Sequence, residues 1–99
     1  MTYIQLLKSK VDGKKYTAIF YDEKRTKIKT LHFGAAGMSD FTKHKDVERK
    51  QRYIARHEKN ENWNDYMTAG SLSYHLLWSK PTLSASYNDY IKKFKLKKY

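Results

Sequence analysis

Between Lys43 and Lys59 the chain carries seven lysines or arginines against three acids. Side chains of this type neutralise phosphate oxygens and release counterions, which gives affinity for a polyanion without reading a base sequence. Wound as an α-helix, Lys45, Arg49, Arg52, Arg56 and Lys59 recur three or four residues apart and share one face. Arg52 and Arg56, one turn apart, suit adjacent phosphates, because a guanidinium forks onto two oxygens. Lys43 extends the footprint. Tyr53 stands among the arginines and offers its ring either to a base or to packing beneath the helix. The expected nucleic-acid-binding set is therefore Lys43, Lys45, Arg49, Arg52, Tyr53, Arg56 and Lys59.

Other chemistries fit less well. The four histidines, His32, His44, His57 and His75, have no ligand spacing, and the helix around His57-Glu58 lacks the second histidine that a zinc-protease helix requires. His44, Asp46 and Glu48 lie two residues apart and so point to different sides of a helix, a poor Mg²⁺ set. Glu48-Arg49-Lys50 has the order of a nuclease triplet, but that triplet belongs on a strand behind a further acid. No Gly-x-Ser-x-Gly elbow is present. Gly34-Ala35-Ala36-Gly37 lacks the Gly-Lys-Ser/Thr of a phosphate loop and reads as a turn. A non-catalytic protein without metal or cofactor is the expectation.

Ninety-nine residues make a single domain with a modest core. The formal charge is +11, from 21 basic and 10 acidic residues, and no other segment balances the central excess. Such a balance points to a polyanionic partner: nucleic acid, an acidic membrane surface or an acidic protein. The absence of cysteine excludes disulfides and thiolate metal sites. No apolar run is long enough to cross a bilayer, and MTYIQLLKSK is too short and interrupted for a signal peptide. A soluble, intracellular protein without a membrane partner is expected.

The elements that must position the basic segment follow from periodicity. Tyr3 to Lys10, Lys15 to Tyr21 and Lys27 to Phe33 alternate as strands, and Asp12-Gly13 is a hairpin signal. Short turns between them imply an antiparallel meander. The glycines at 34 and 37 mark a tight turn or close approach. Asp40, Thr42 and Asp46 are candidate caps for the basic helix, whose apolar seam is Val47, Ile54 and the stems of Lys50 and His57. Asp46→Lys50 and Glu48→Arg52 are acid-first pairs on that helix. A second helix runs from a Thr68 cap to Trp78. Pro81 opens a third, in which Leu83, Tyr87, Tyr90, Ile91 and Phe94 repeat with helical period. Trp63 and Trp78 read as core. The basic tail, residues 95–99, is expected to fray and add a mobile second contact. The fold class is α+β: a three-stranded antiparallel meander over about 3–34, then three helices over about 43–96 packed on one sheet face.

Phe33-Gly34 with Gly37, Ser39-Asp40, His44-Lys45-Asp46, Glu48-Arg49, Arg52-Tyr53, Arg56-His57 and Trp63 form one spaced set. It continues with Ala69-Gly70, Leu77-Trp78, Pro81, Ser86 and Asp89-Tyr90. Over roughly Leu31 to Phe94, about two thirds of the chain, this set resembles a small uncharacterised family encoded by large nucleocytoplasmic DNA viruses and some algae and protists. The resemblance implies a viral setting and carries no assigned activity. A weaker likeness is to WGR-type DNA-binding domains, with Phe33-Gly34 in place of Trp-Gly and Ala35 in place of the following arginine.

Two arrangements of the central charges remain open. In one, Arg52 and Arg56 are buried against Asp40, Asp65 or Asp89 as an ion-pair lattice, so that Arg52→Ala loses stability. In the other they face solvent and grip phosphates. The expected function is a non-catalytic nucleic-acid-binding protein of a large DNA virus, acting inside the infected cell on DNA before RNA. Alternatives are a virion structural protein, with viral structural proteins as partners, and a metal-dependent nuclease.

Overall fold

Alternating apolar residues demand a covered sheet face, and the chain supplies helices for only one. A computed structural model describes residues 1–99. The strands β1 (Tyr3–Lys8), β2 (Lys14–Tyr21) and β3 (Lys27–Ala35) pair in antiparallel order. Ile4 lies opposite Phe20, and Leu6 and Leu31 flank Ala18 from either side. These side chains share the face that meets the helices, where Ile4, Ala18, Phe20 and Phe33 are almost wholly buried. The opposite face satisfies its own polar groups. The Tyr21 hydroxyl donates to Gln5 Oε1 at 2.9 Å, and Thr17 Oγ1 lies 2.8 Å from His32 Nδ1.

Past the sheet come α1 (Phe41–His44), α2 (Val47–His57) and α3 (Ala69–Ser73), then a π-helix, Tyr74–Trp78, and α4 (Leu83–Lys93). Thr68 caps α3, its Oγ1 accepting from the Ser71 N–H at 3.1 Å. The chain then widens to π geometry, and three consecutive residues, His75, Leu76 and Leu77, are buried. Pro81 stands one residue before the cap of α4, not within its first turn. Thr82 is the cap, accepting from the Ala85 N–H at 3.1 Å. Leu72, Leu76, Leu77, Tyr90 and Leu96 close the core over the sheet.

Two expectations about the sheet change. It has four strands, ordered β3-β2-β1-β4, because Lys97–Lys98 pairs parallel to β1 as β4. The tail is therefore held: the Lys97 N–H donates to Thr2 O at 3.0 Å and the Tyr99 N–H to Ile4 O at 2.9 Å. Leu96 is 6% exposed, and the Tyr99 ring stacks on Tyr21 at 3.7 Å. The apolar Leu96 among lysines supplies the anchor that the charge count obscures. No helix is long and apolar enough to cross a membrane.

Leu96→Ala removes that anchor and is expected to lower unfolding free energy by about 2–4 kcal/mol in a urea titration. A frayed tail would instead leave the urea midpoint unchanged.

Candidate nucleic-acid interface

The basic segment is not one helix, because two aspartates six residues apart each begin a helix. Asp40 caps α1, accepting from the Thr42 N–H at 3.0 Å. Asp46 caps α2, accepting from the N–H groups of Glu48 at 3.0 Å and Arg49 at 3.3 Å. Between them Lys45 turns left-handed, with φ of 55°, and its N–H closes α1 onto Phe41 O. Lys43 therefore lies on α1, Lys45 at the break and Lys59 beyond the end of α2. These three lysines flank α2 and do not extend its face.

Within α2 the inward stripe is Lys50, Tyr53, Ile54 and His57, at helical spacing, while Val47 is 57% exposed. The seam keeps Ile54, Lys50 and His57 of the expected set, loses Val47 and gains Tyr53. The Lys50 stem is covered, its Nζ donates to the Ser79 carbonyl at 2.7 Å past the π-helix, and it lies 5.0 Å over the Phe41 ring. Asp46 is occupied as a cap, so the Asp46–Lys50 pair does not form. Tyr53 is 9% exposed and stacks on Trp78 at 4.2 Å, with the His57 ring at 4.3 Å on it. Its ring is committed to packing and is not a platform for a base. Burial beside Glu61 pushes its hydroxyl well above the usual tyrosine range, so it stays a neutral donor.

Arg49, Arg52 and Arg56 point outward. At 100° per residue they fall within a band of about 60° and form one ridge. All three are exposed, and none lies within 4 Å of a carboxylate: the ion pairs are Met1–Glu23, Lys15–Asp40 and His57–Glu61. The arginine lattice is therefore absent, and neither Asp65 nor Asp89 takes an arginine. Asp40 is buried, but its partner is Lys15.

That pair carries the site's geometry. Lys15 Nζ donates to Asp40 Oδ2 at 2.5 Å, with the two side chains 10% and 3% exposed. Asp40 Oδ1 accepts from both the backbone N–H and the hydroxyl of Thr42. Burial alone would raise the Asp40 carboxyl, but the bonds from Lys15 and Thr42 outweigh it and hold the group below its ordinary value. Sequence reading missed Lys15, since a partner 25 residues away leaves no local signal.

Beside this pair lies a cavity of about 420 Å³, opening between the turn after β3, α2 and the π-helix. Lys15, Asp40, Tyr53, Arg56 and His57 line its polar side, and Met38, Leu77 and Trp78 its apolar side. Gly34 makes the approach possible. Its φ is +77°, and a Cβ there would stand 2.8 Å from Leu77 Cδ1. Elsewhere the exposed cations sit on the hairpins, on β3 and along α4 and β4, without a comparable row of arginines. No three His, Asp or Glu side chains gather into a metal-holding group.

Arg52→Ala is expected to leave the melting temperature within a degree or two, as an exposed substitution worth under about 0.5 kcal/mol. Lys15→Met strands a buried carboxylate and should cost about 3–5 kcal/mol in the same assay. Acid should act in two steps. His75 is buried, and desolvation depresses its folded pKa, although its Nε2–H bond to Trp63 O at 2.8 Å opposes this. Stability is thus complete above the unfolded value of 6.5 and falls as pH drops through the depressed one. Asp40, also depressed, adds a second loss below its unfolded value of 3.8. In urea midpoints measured against pH, His75→Gln should abolish the first step and leave the second.

No curated protein and no solved structure matches the chain. A family model matches residues 4–57, from β1 through the end of α2. It overlaps the expected resemblance from Leu31 to His57, adds the strands, and leaves α3 onward outside. The match takes in Lys15, Asp40 and the arginine ridge, and by it the chain belongs to a family of unknown function, DUF5754.

Proposed function

We propose that this protein binds nucleic acid without catalysis, gripping phosphates through the arginine ridge of α2. The observation that carries the reading is that Arg49, Arg52 and Arg56 stand exposed in one row with no carboxylate partner. An arginine whose guanidinium is already paired has little left to offer a phosphate, whereas these retain every N–H. Lys43, Lys45 and Lys59 flank the ridge at both ends, and the net charge of +11 favours approach of any polyanion. The contacts are to backbone phosphates, so affinity comes without sequence reading. DNA as the first partner and a large DNA virus as the setting rest on the resemblance described above.

A virion structural role would be favoured by a contiguous exposed apolar patch. The exposed large apolar residues, among them Leu7, Val11, Ile28, Met38, Val47 and Tyr99, lie on separate segments.

Retention on duplex DNA should fall steeply from low to physiological salt, and loss of each phosphate contact should flatten the slope of log affinity against log salt by about 0.9. Arg49→Ala with Arg52→Ala should thus flatten it by about 2, and Lys92→Ala with Lys93→Ala on α4 by less. Absence of binding at low salt would end the proposal.

A further inference from the structure

The cavity beside the Lys15–Asp40 pair gathers donors that the protein itself does not use. Arg56 has no protein partner, and Lys15 Nζ spends one of its three N–H groups on Asp40. Tyr53, Ser39 and Ser73 also line the cavity, and their hydroxyls bond to no protein group. The single carboxylate in the lining, Asp40, is saturated by Lys15 and Thr42 and offers little to a donor ligand. What this lining recognises is an acceptor-rich, negatively charged group. The space decides the rest. At about 420 Å³ the cavity is far larger than one phosphate needs, and Met38, Leu77 and Trp78 give it an apolar wall. It falls in the range of pockets that hold a small organic molecule.

We propose that this cavity is a binding site for a phosphomonoester of nucleotide size. The anionic head lies against Arg56 and Lys15, with the Tyr53, Ser39 and Ser73 hydroxyls as further donors, and the organic part lies toward Met38 and Trp78. The phosphorylated end of a strand and a free nucleotide both carry a phosphomonoester, whereas the phosphates within a duplex backbone are diesters. Arg56 belongs to both surfaces, as the last arginine of the α2 ridge and as part of the cavity lining. A strand tracked along the ridge would therefore bring its end to the cavity. The strand-end source rests on the proposed function; the cavity's preference for a phosphomonoester does not.

The test uses the full chain and three probes: a short single strand with terminal phosphate, the same strand with hydroxyl ends, and adenosine monophosphate. The phosphorylated strand should bind about tenfold or more tightly than its hydroxyl counterpart, since a terminal dianion meets the unpaired Arg56 guanidinium and the N–H groups that Lys15 does not give to Asp40. Adenosine monophosphate should bind and compete away that difference. Ser73→Phe fills the cavity and should bring the ratio close to one. If that variant fails to fold, Tyr53→Phe removes only a hydroxyl without a protein partner and should lower the ratio severalfold. Binding of adenosine monophosphate without discrimination between strand ends supports the site, with a free nucleotide as its occupant. Its binding alongside a failure of duplex retention removes the phosphate-ridge reading and leaves the cavity site standing. Equal affinity for both strands with no binding of adenosine monophosphate overturns the inference, as does a ratio well above one that neither variant reduces.

Discussion

The buried contact between Lys15 and Asp40 decides where everything else goes. It joins the second strand to the first residue of the helical half, and no other ion pair crosses between the two. The Asp40 carboxylate accepts three bonds from two residues: through Thr42 it starts α1, and through Lys15 it fixes that start against the sheet. An ion pair of this kind stabilises weakly compared with a well-packed apolar pair, because desolvation offsets much of the attraction. Its value is positional. Losing one partner leaves an unpaired buried charge, so the chain has few alternative ways to place the turn from Gly34 to Asp40. The cavity and the entry into α2 are both defined by that turn.

Once α2 is placed, its cations are sorted by packing and not by charge. Lys50 is drawn inward because its ammonium lies over the Phe41 ring and meets the Ser79 carbonyl beyond the π-helix. Tyr53 is drawn inward by Trp78. Arg49, Arg52 and Arg56 form no ion pair, the Glu48–Arg52 pair included, and remain on the outer side. An isolated 11-residue helix would be marginal in water. This one is held by the aromatic stack and by the Asp46 cap, so its outer row of arginines sits on a fixed frame. On the proposed reading that frame helps, since it sets the spacing of the row and a planar guanidinium fork loses less freedom per hydrogen bond than a lysine ammonium.

Much of this was legible in the sequence where the signal is local. Alternation placed the three antiparallel strands, Asp12-Gly13 their first turn, and Thr68 the cap of the expected second helix, now α3, because each depends on neighbours a few residues away. The Gly34–Gly37 turn was legible for the same reason: positive φ restricts the residue type. What failed was the ledger of charge. Lysines in the tail masked Leu96, whose burial turns an expected loose end into a strand. Counting lysines and arginines at helical spacing drew Lys45 and Lys59 into a helix that Asp46 begins only afterwards and that ends at His57. The π-helix and the Lys15–Asp40 contact had no sequence signature, because both arise from packing between distant segments. Of the seven candidate binding residues, the three arginines share a face, the lysines flank it, and Tyr53 belongs to the core.

The central claim is that phosphates meet this protein on α2 and the turn leading to it. Backbone amide shifts recorded by NMR during titration with a short DNA strand test it most directly, because they report every surface at once. The account predicts that the largest changes fall on Arg49 to His57 and on the backbone from Gly34 to Asp40. Changes concentrated on α4 and β4, or on the uncovered sheet face around Tyr21 and Tyr99, would contradict it.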